Sequence, residues 1–360
     1  MSFPDLVSVV MYTHEGEDVF VIDAHLHNWD ASEENITHEG GEQFIQCFYD
    51  YHTSFTPEDR QWDIETYRKY GADKLVEDLF RDGYVDMGIF QSTHLSEFYG
   101  SGFNTVDDNA ELLEQYPERF IVNGRFDPRE EGSLEELERQ KEEYDIQGVK
   151  LYTAEWHGDS KGWRLDSDES FEHLQKCVDL GIENVHPHKG PTIRPLNRDA
   201  FDVSDVDDAA TSFPELNFVV EHVGLPRLDD FCWIAAQEPN VYGGLAVAAP
   251  FAQNRPEKFG EIMGELLWWL GEDRVLFGSD YGIWEPEWLI EAVMEAELTS
   301  DQRAEYGVEF DLETKKKVIG ENAAELYDID IEEKKAELRS DDISEQFDLG
   351  GRYEGAAADD

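Results

Sequence analysis

The chain has 360 residues, enough for one large domain or two small ones around a sizeable core. Its 83 acidic residues against 29 basic ones give a formal net charge of -54, which disfavours nucleic acid and anionic membrane surfaces as partners. Disorder is excluded by composition: 40% hydrophobic residues, with 21 Phe, 15 Tyr and 9 Trp, call for a packed interior under an acidic shell of the halophilic kind.

Residues 1–18 read as a polar N-terminal arm without the basic and apolar regions of a signal peptide. No apolar run approaches the roughly 18 residues that a membrane span needs, so a cytoplasmic protein is expected. Residues 19–27 (VFVIDAHLH) form the first expected strand, apolar and β-branched, ending in His25 and His27. Side chains alternate along a strand, so Asp23, His25 and His27 share a face. Residues 28–70 follow as a long insertion crowded with aromatics, Trp29, Phe44, Phe48, Tyr51 and Trp62 among them. Such an excursion reads either as a pocket wall or as a small packed subdomain.

The chain then becomes regular. Helices are expected at 72–81, at 104–116 with Asn104 as cap, and at 133–144 with a capping box from Ser133 to Glu136. Further helices are expected at 168–180, 204–212, 228–237 and 256–270. Between them lie apolar strands at 85–91, 120–126, 146–152, 182–188, 216–223, 241–247 and 274–281. Eight strands alternating with helices predict an α/β fold, a (β/α)8 TIM barrel over residues 19–328. Residues 329–360 lose periodicity and read as an acidic, partly disordered tail. The cysteines, Cys47, Cys177 and Cys232, are scattered and form no C-x-x-C, so neither disulfides nor a thiolate metal site is indicated.

Strand C-termini of a barrel converge on one mouth. Here strand 1 ends in His25 and His27, strand 5 in His186 and His188, strand 6 in His222 and strand 8 in Asp280. Imidazoles gathered in a core leave polar groups without partners, and a divalent metal meets that need. Imidazole and carboxylate donors suit Zn in the first place, and also Mn, Fe, Ni or Co. There is no G-x-S-x-G elbow, Walker loop or G-x-G-x-x-G, and alternation turns Ser279 away from Asp280.

The motifs VIDAHLH, NVHPH, FVVEHVG and RVLFGSDY, with the closing ENAAELY, together resemble the amidohydrolase superfamily. They are most similar to its amidohydrolase-related branch, which includes the aminocarboxymuconate semialdehyde and resorcylate decarboxylases. The resemblance covers residues 19–327 and implies that His25, His27, His186 and Asp280 bind the metal. It implies that His222 is a non-ligand imidazole acting on substrate or water, with Asp280 moving a proton. Binuclear members carry a carboxylated lysine on strand 4, where this chain has Lys150, so Lys150 is either a second-metal ligand or a lysine paired with a carboxylate. His188 is assigned to substrate contact, with Trp29 from the pocket wall. Lys189, Arg194 and Arg198 either bind an anionic substrate or pair with acids.

The expected function is hydrolysis of a small organic molecule through a metal-activated water. The alternative is non-oxidative decarboxylation of an aromatic or enoic acid, and a third reading is a metal-binding barrel without catalysis. Related barrels are often dimers, so the resemblance also points to a homodimer.

Overall fold

Eight parallel strands alternate with helices in the computed structural model, which describes residues 11–353. They are β1 (Ile22–Leu26), β2 (Met87–Gln91), β3 (Phe120–Asn123), β4 (Gly148–Leu151), β5 (Asn184–Pro187), β6 (Asn217–Glu221), β7 (Val241–Gly244) and β8 (Val275–Leu276). Strands β1 to β3 pair in order, as do β4 to β8. Two parallel bridges join the sets, Gly124 to Val149 between β3 and β4, and Leu26 to Tyr281 between β1 and the chain after β8. The ring of strands is thereby closed, as expected of a (β/α)8 barrel. The last strand is shorter than its apolar run because the backbone leaves the ladder before Gly278 to reach the mouth.

Two helix caps differ from expectation. Thr105, not Asn104, caps the helix Val106–Gln115 by accepting from the Asp108 amide. Asn104 instead donates from Nδ2 to the Gln91 carbonyl at 2.7 Å, deep in the barrel mouth. The helix Ser133–Tyr144 starts at Gly132 with no side-chain cap, so the Ser133–Glu136 box does not form.

The insertion after β1 is both wall and packed unit. Its helix Glu39–Phe55 buries Phe44 and Phe48, whose rings lie 4.5 Å apart, against Phe103. The end of the chain corrects the expectation of a partly disordered tail. Helices Ile331–Leu338 and Asp342–Phe347 fold back, and Leu338 and Tyr353 join an apolar cluster with Ile22, Met87, Val219 and Leu276. Residues 354–360 and most of the N-terminal arm lie outside the described residues. No helix among the described residues is long and apolar enough to cross a membrane.

Candidate active site

The mouth of the barrel is ringed by side chains from the C-terminal ends of its strands. His25 and His27 come from β1, Lys150 from β4, His188 from just beyond β5, His222 from the turn after β6, and Asp280 from beyond β8. All six line one pocket, walled by Phe48, Phe103, Tyr152, Ile283 and Trp284. His222 and Asp280 hold left-handed backbones, φ 66° and 61°, conformations that cost a non-glycine residue about 1–3 kcal/mol. The backbone also has to come close here. A Cβ on Gly278 would lie 2.6 Å from His25 Cβ, and one on Gly190 2.6 Å from His222 Cβ.

Hydrogen bonds at the far ring atoms fix how the imidazoles face the pocket. The Gln91 carbonyl and Asn104 Nδ2 each lie 2.8 Å from His27 Nδ1; the carbonyl can only accept and Asn104 Nδ2 donates to that same carbonyl at 2.7 Å, so the proton is assigned to Nδ1. His27 Nε2 therefore presents a lone pair, 3.1 Å from Asp280 Oδ1. Glu221 Oε2 lies 2.8 Å from His25 Nδ1, off the ring's hydrogen-bond axis, and favours the proton on that side. His25 Nε2 faces Asp280 Oδ1 at 3.6 Å. Two ring lone pairs thus converge on one carboxylate oxygen. His222 Nδ1 donates to the Ala246 carbonyl at 3.1 Å, and its Nε2 meets His188 Nδ1 at 3.0 Å. That leaves His188 Nε2 buried with no partner.

Electrostatics agree with this arrangement. Burial pushes the His25 imidazole down to about 3, against the pull of Glu221, and lowers His222 and His188 as well, so all three are neutral donors. Burial acts to raise the Asp280 carboxyl, but the imidazoles of His25, His27 and His222 gathered around it outweigh burial and keep it ionised. Neutral imidazoles around a buried carboxylate are what a divalent cation requires of its ligands. Candidate ligand atoms of His25, His222 and Asp280 lie within 4.8 Å of one another. The donor set fits the metal that the sequence calls for.

His186 departs from the expected set. Its Nδ1 donates to Glu221 Oε1 at 2.7 Å, and its Nε2 accepts from the Tyr327 hydroxyl at 2.8 Å. Both nitrogens are engaged, below the pocket. Residues two apart on a strand share a face but differ in depth by about 6.6 Å, so only His188 reaches the mouth. Lys189 is buried in an ion pair with Asp205 at 2.9 Å, Arg194 is exposed and pairs with Asp50 at 2.9 Å, and Arg198 pairs with Asp202 at 3.6 Å. None of the three lines the pocket. Trp29 stands behind His27, its indole N–H donating to the Tyr67 carbonyl at 2.8 Å. Lys150 Nζ lies 3.4 Å from His25 Nε2, and burial lowers its ammonium pKa.

Sequence reading missed Glu221, which bridges His25 and His186. Its signal was its place directly before His222 in FVVEHVG, at the end of a strand. A carboxylate behind a ligand imidazole fixes the ring and raises its basicity.

A family profile described as amidohydrolase matches residues 22–329. No curated protein matches the sequence. Among solved structures, an uncharacterised TIM-barrel protein of Bordetella bronchiseptica is 16% identical, with TM-score 0.63, over 86% of this chain and 98% of that one. A 2,6-dihydroxybenzoate decarboxylase complexed with 2,6-dihydroxybenzoate is 13% identical, with TM-score 0.56, over 86% of this chain and all of that one (100%). A 5-carboxyvanillate decarboxylase of Novosphingobium aromaticivorans, complexed with manganese and 4-hydroxy-3-methoxy-5-nitrobenzoic acid, is 15% identical, with TM-score 0.55, over 89% of this chain and 99% of that one. At these identities the likeness is one of fold.

Proposed function

The chain belongs to the amidohydrolase family of metal-dependent enzymes, hydrolases and carboxy-lyases, and from that premise we propose that it is a metal-dependent decarboxylase of a small, flat organic acid. The observation that carries this reading is the pocket's polarity. Aromatic side chains make its walls, while its imidazoles, lysine and carboxylate crowd together at one spot. An acid with one charged end and an apolar ring fits that division. The decarboxylases among the structural neighbours, one holding a dihydroxybenzoate and one a nitrobenzoic acid with manganese, support the same choice. Decarboxylation therefore takes precedence here over the hydrolysis first expected from the sequence.

In this reading His25, His27, His188 and Asp280 would hold the ion; three imidazoles and a carboxylate suit Zn, and the 5-carboxyvanillate decarboxylase neighbour holds Mn. His188 is placed in the set in preference to His186 because it lines the pocket and, among the described residues, its Nε2 has no hydrogen-bond partner. His222 stays off the ion because its Nε2 is engaged by His188. A bound divalent ion supplies Lewis acidity, holding and polarising substrate oxygens beside the bond that breaks. The chain's own residues do the rest. Glu221 and the Gln91 carbonyl keep the β1 imidazoles oriented. Phe48, Phe103 and Trp284 hold the ring and keep water away. The bond between the ring carbon and the carboxylate carbon breaks, carbon dioxide leaves, and the electron pair remains on the ring carbon. His222, neutral at rest, takes up a proton from solvent and, because burial disfavours its charged form, passes it on to that carbon.

The test is a panel of hydroxybenzoates and enoic acids incubated with protein loaded with Mn or Zn. Release of carbon dioxide from at least one acid is expected. A panel of esters, amides and lactones turned over while every acid stays intact would return the assignment to hydrolysis.

A further inference from the structure

Strand β4 and the residue after it bring two polar side chains to the pocket that find no carboxylate or hydroxyl partner among the described residues. Lys150 and Tyr152 are two residues apart, so they project to one face, and both line the pocket. Lys150 is 1% exposed. Its one polar neighbour is His25 Nε2 at 3.4 Å, itself a metal-facing atom, and among the described residues no carboxylate oxygen lies within 4 Å of its Nζ. Lys189, the other buried lysine near this end of the barrel, shows the contrast, since it is neutralised directly by Asp205. Tyr152 is also buried, and among the described residues its hydroxyl has no hydrogen-bond partner. Its ring is fixed edge-on against His188, with centroids 4.8 Å apart, so the hydroxyl is not free to swing out to solvent. A buried ammonium without a counter-ion and a buried hydroxyl without a partner persist where an occupant supplies the acceptors.

We propose that Lys150 and Tyr152 form the carboxylate-recognition end of the pocket, with Lys150 Nζ pairing with a substrate carboxylate and the Tyr152 hydroxyl donating to one of its oxygens. This rests on the reading of the chain as an enzyme of organic acids and narrows it to monoanions. The narrowing rests on Lys150 being, among the described residues, the one lysine or arginine that lines the pocket, a partner for one carboxylate. It also gives Lys150 a role other than second-metal ligand.

Isothermal titration of the full-length, Mn-loaded protein with benzoate and with phenol tests this. The two probes share a ring and differ in the carboxylate. Wild-type protein is expected to bind benzoate at least tenfold more tightly than phenol. Lys150→Met should weaken benzoate at least tenfold and leave phenol within twofold. Tyr152→Phe, which keeps the ring on His188, should weaken benzoate by about threefold or more and serves by itself if Lys150→Met does not fold. Wild-type protein that shows no preference for benzoate, or variants that bind it as wild type does, would overturn the proposal. So would loss of the ion from Lys150→Met on metal analysis, which would put Lys150 in the metal site. Binding is read without turnover. Failure of carbon dioxide release would thus remove the decarboxylase reading while leaving the carboxylate site intact, and the reverse result is equally distinct.

Discussion

At the closed end of the barrel, Arg119 is fully buried and every arm of its guanidinium is occupied. It donates to Asp341 at 2.5 and 2.9 Å, to Ser344 Oγ and Tyr353 Oη at 2.9 Å, and to the Asp86 carbonyl at 3.1 Å. At the open end, His25 and His27 turn lone pairs toward an ionised carboxylate oxygen, and His188 Nε2 has no partner. Both clusters are buried and charged, the first at the N-terminal ends of β2 and β3, the second at the C-terminal ends of β1, β5, β6 and β8. Arg119 finds all of its partners within the chain and holds the C-terminal segment in place, although Nε and Nη2 of its neighbour Arg352 are buried without hydrogen-bond partners among the described residues. The second is complete only with a cation and a ligand. Burial of charge alone does not mark a function, therefore; several neutral imidazoles turned toward one carboxylate in a pocket do.

The comparison can be broken most severely at the mouth. Asp280→Asn, or exhaustive chelation of the wild type, should remove the ion and drop turnover to the background rate. Metal analysis and circular dichroism together check this, with metal lost and the fold retained. Stoichiometric metal in Asp280→Asn protein would take that residue out of the site.

A smaller loss, in rate alone, is expected from His222→Asn. It should retain the ion and lose about two to four orders of magnitude in kcat, the range of a proton-transfer contribution. His188→Ala should lose the ion instead. The opposite pattern would exchange the roles of the two imidazoles.

Breaking the closed end should cost stability and spare the metal. Arg119→Met leaves Asp341 buried and unpaired, and urea denaturation should show a loss of about 3–5 kcal/mol. Metal content per folded chain should not change. A stability near that of wild type would show that the C-terminal segment is held by its apolar contacts alone.

The mildest test is one of pH, at Glu155. Burial pushes its carboxyl up to about 8, with Arg125 only partly opposing, and one of its oxygens is buried without a partner. The folded state thus binds this proton more tightly than the unfolded chain. Its contribution is present in full at low pH and is lost as pH rises through about 8. Wild-type melting temperature should fall relative to Glu155→Gln between pH 5 and 8, and parallel curves for the two proteins would contradict the assignment.

Much of the open end was legible in the sequence because barrel strands announce their mouths. Apolar runs ending in His25, His27, His222 and Asp280 locate one site once the strands are known to be parallel. Depth was not legible. His186 and His188 share a face, and which of them reaches the mouth depends on strand register, which a single sequence does not carry. Glu221 escaped notice because a carboxylate beside a histidine has no distinctive spacing. Arg194 and Lys189 were drawn toward substrate by their charge, whereas each had an acid across the fold to meet. The closed end was illegible for a related reason. Residues 329–353 look like a solvated tail when counted for charge, yet four of their apolar residues, Leu338, Ile343, Leu349 and Tyr353, are buried. Asn104 and Ser133 fit the pattern of helix caps, but tertiary hydrogen bonds claimed the first and a one-residue shift of the helix start displaced the second.

The central claim, that this mouth breaks a carbon–carbon bond, is tested most directly by isotopes. A converted acid is incubated with the Mn-loaded protein in deuterium oxide enriched in oxygen-18, and the products are read by mass spectrometry. The account predicts one molecule of carbon dioxide per turnover and one deuterium on the carbon that carried the carboxylate, with no oxygen-18 in the organic product. An organic product carrying oxygen-18, with no carbon dioxide released, would contradict it.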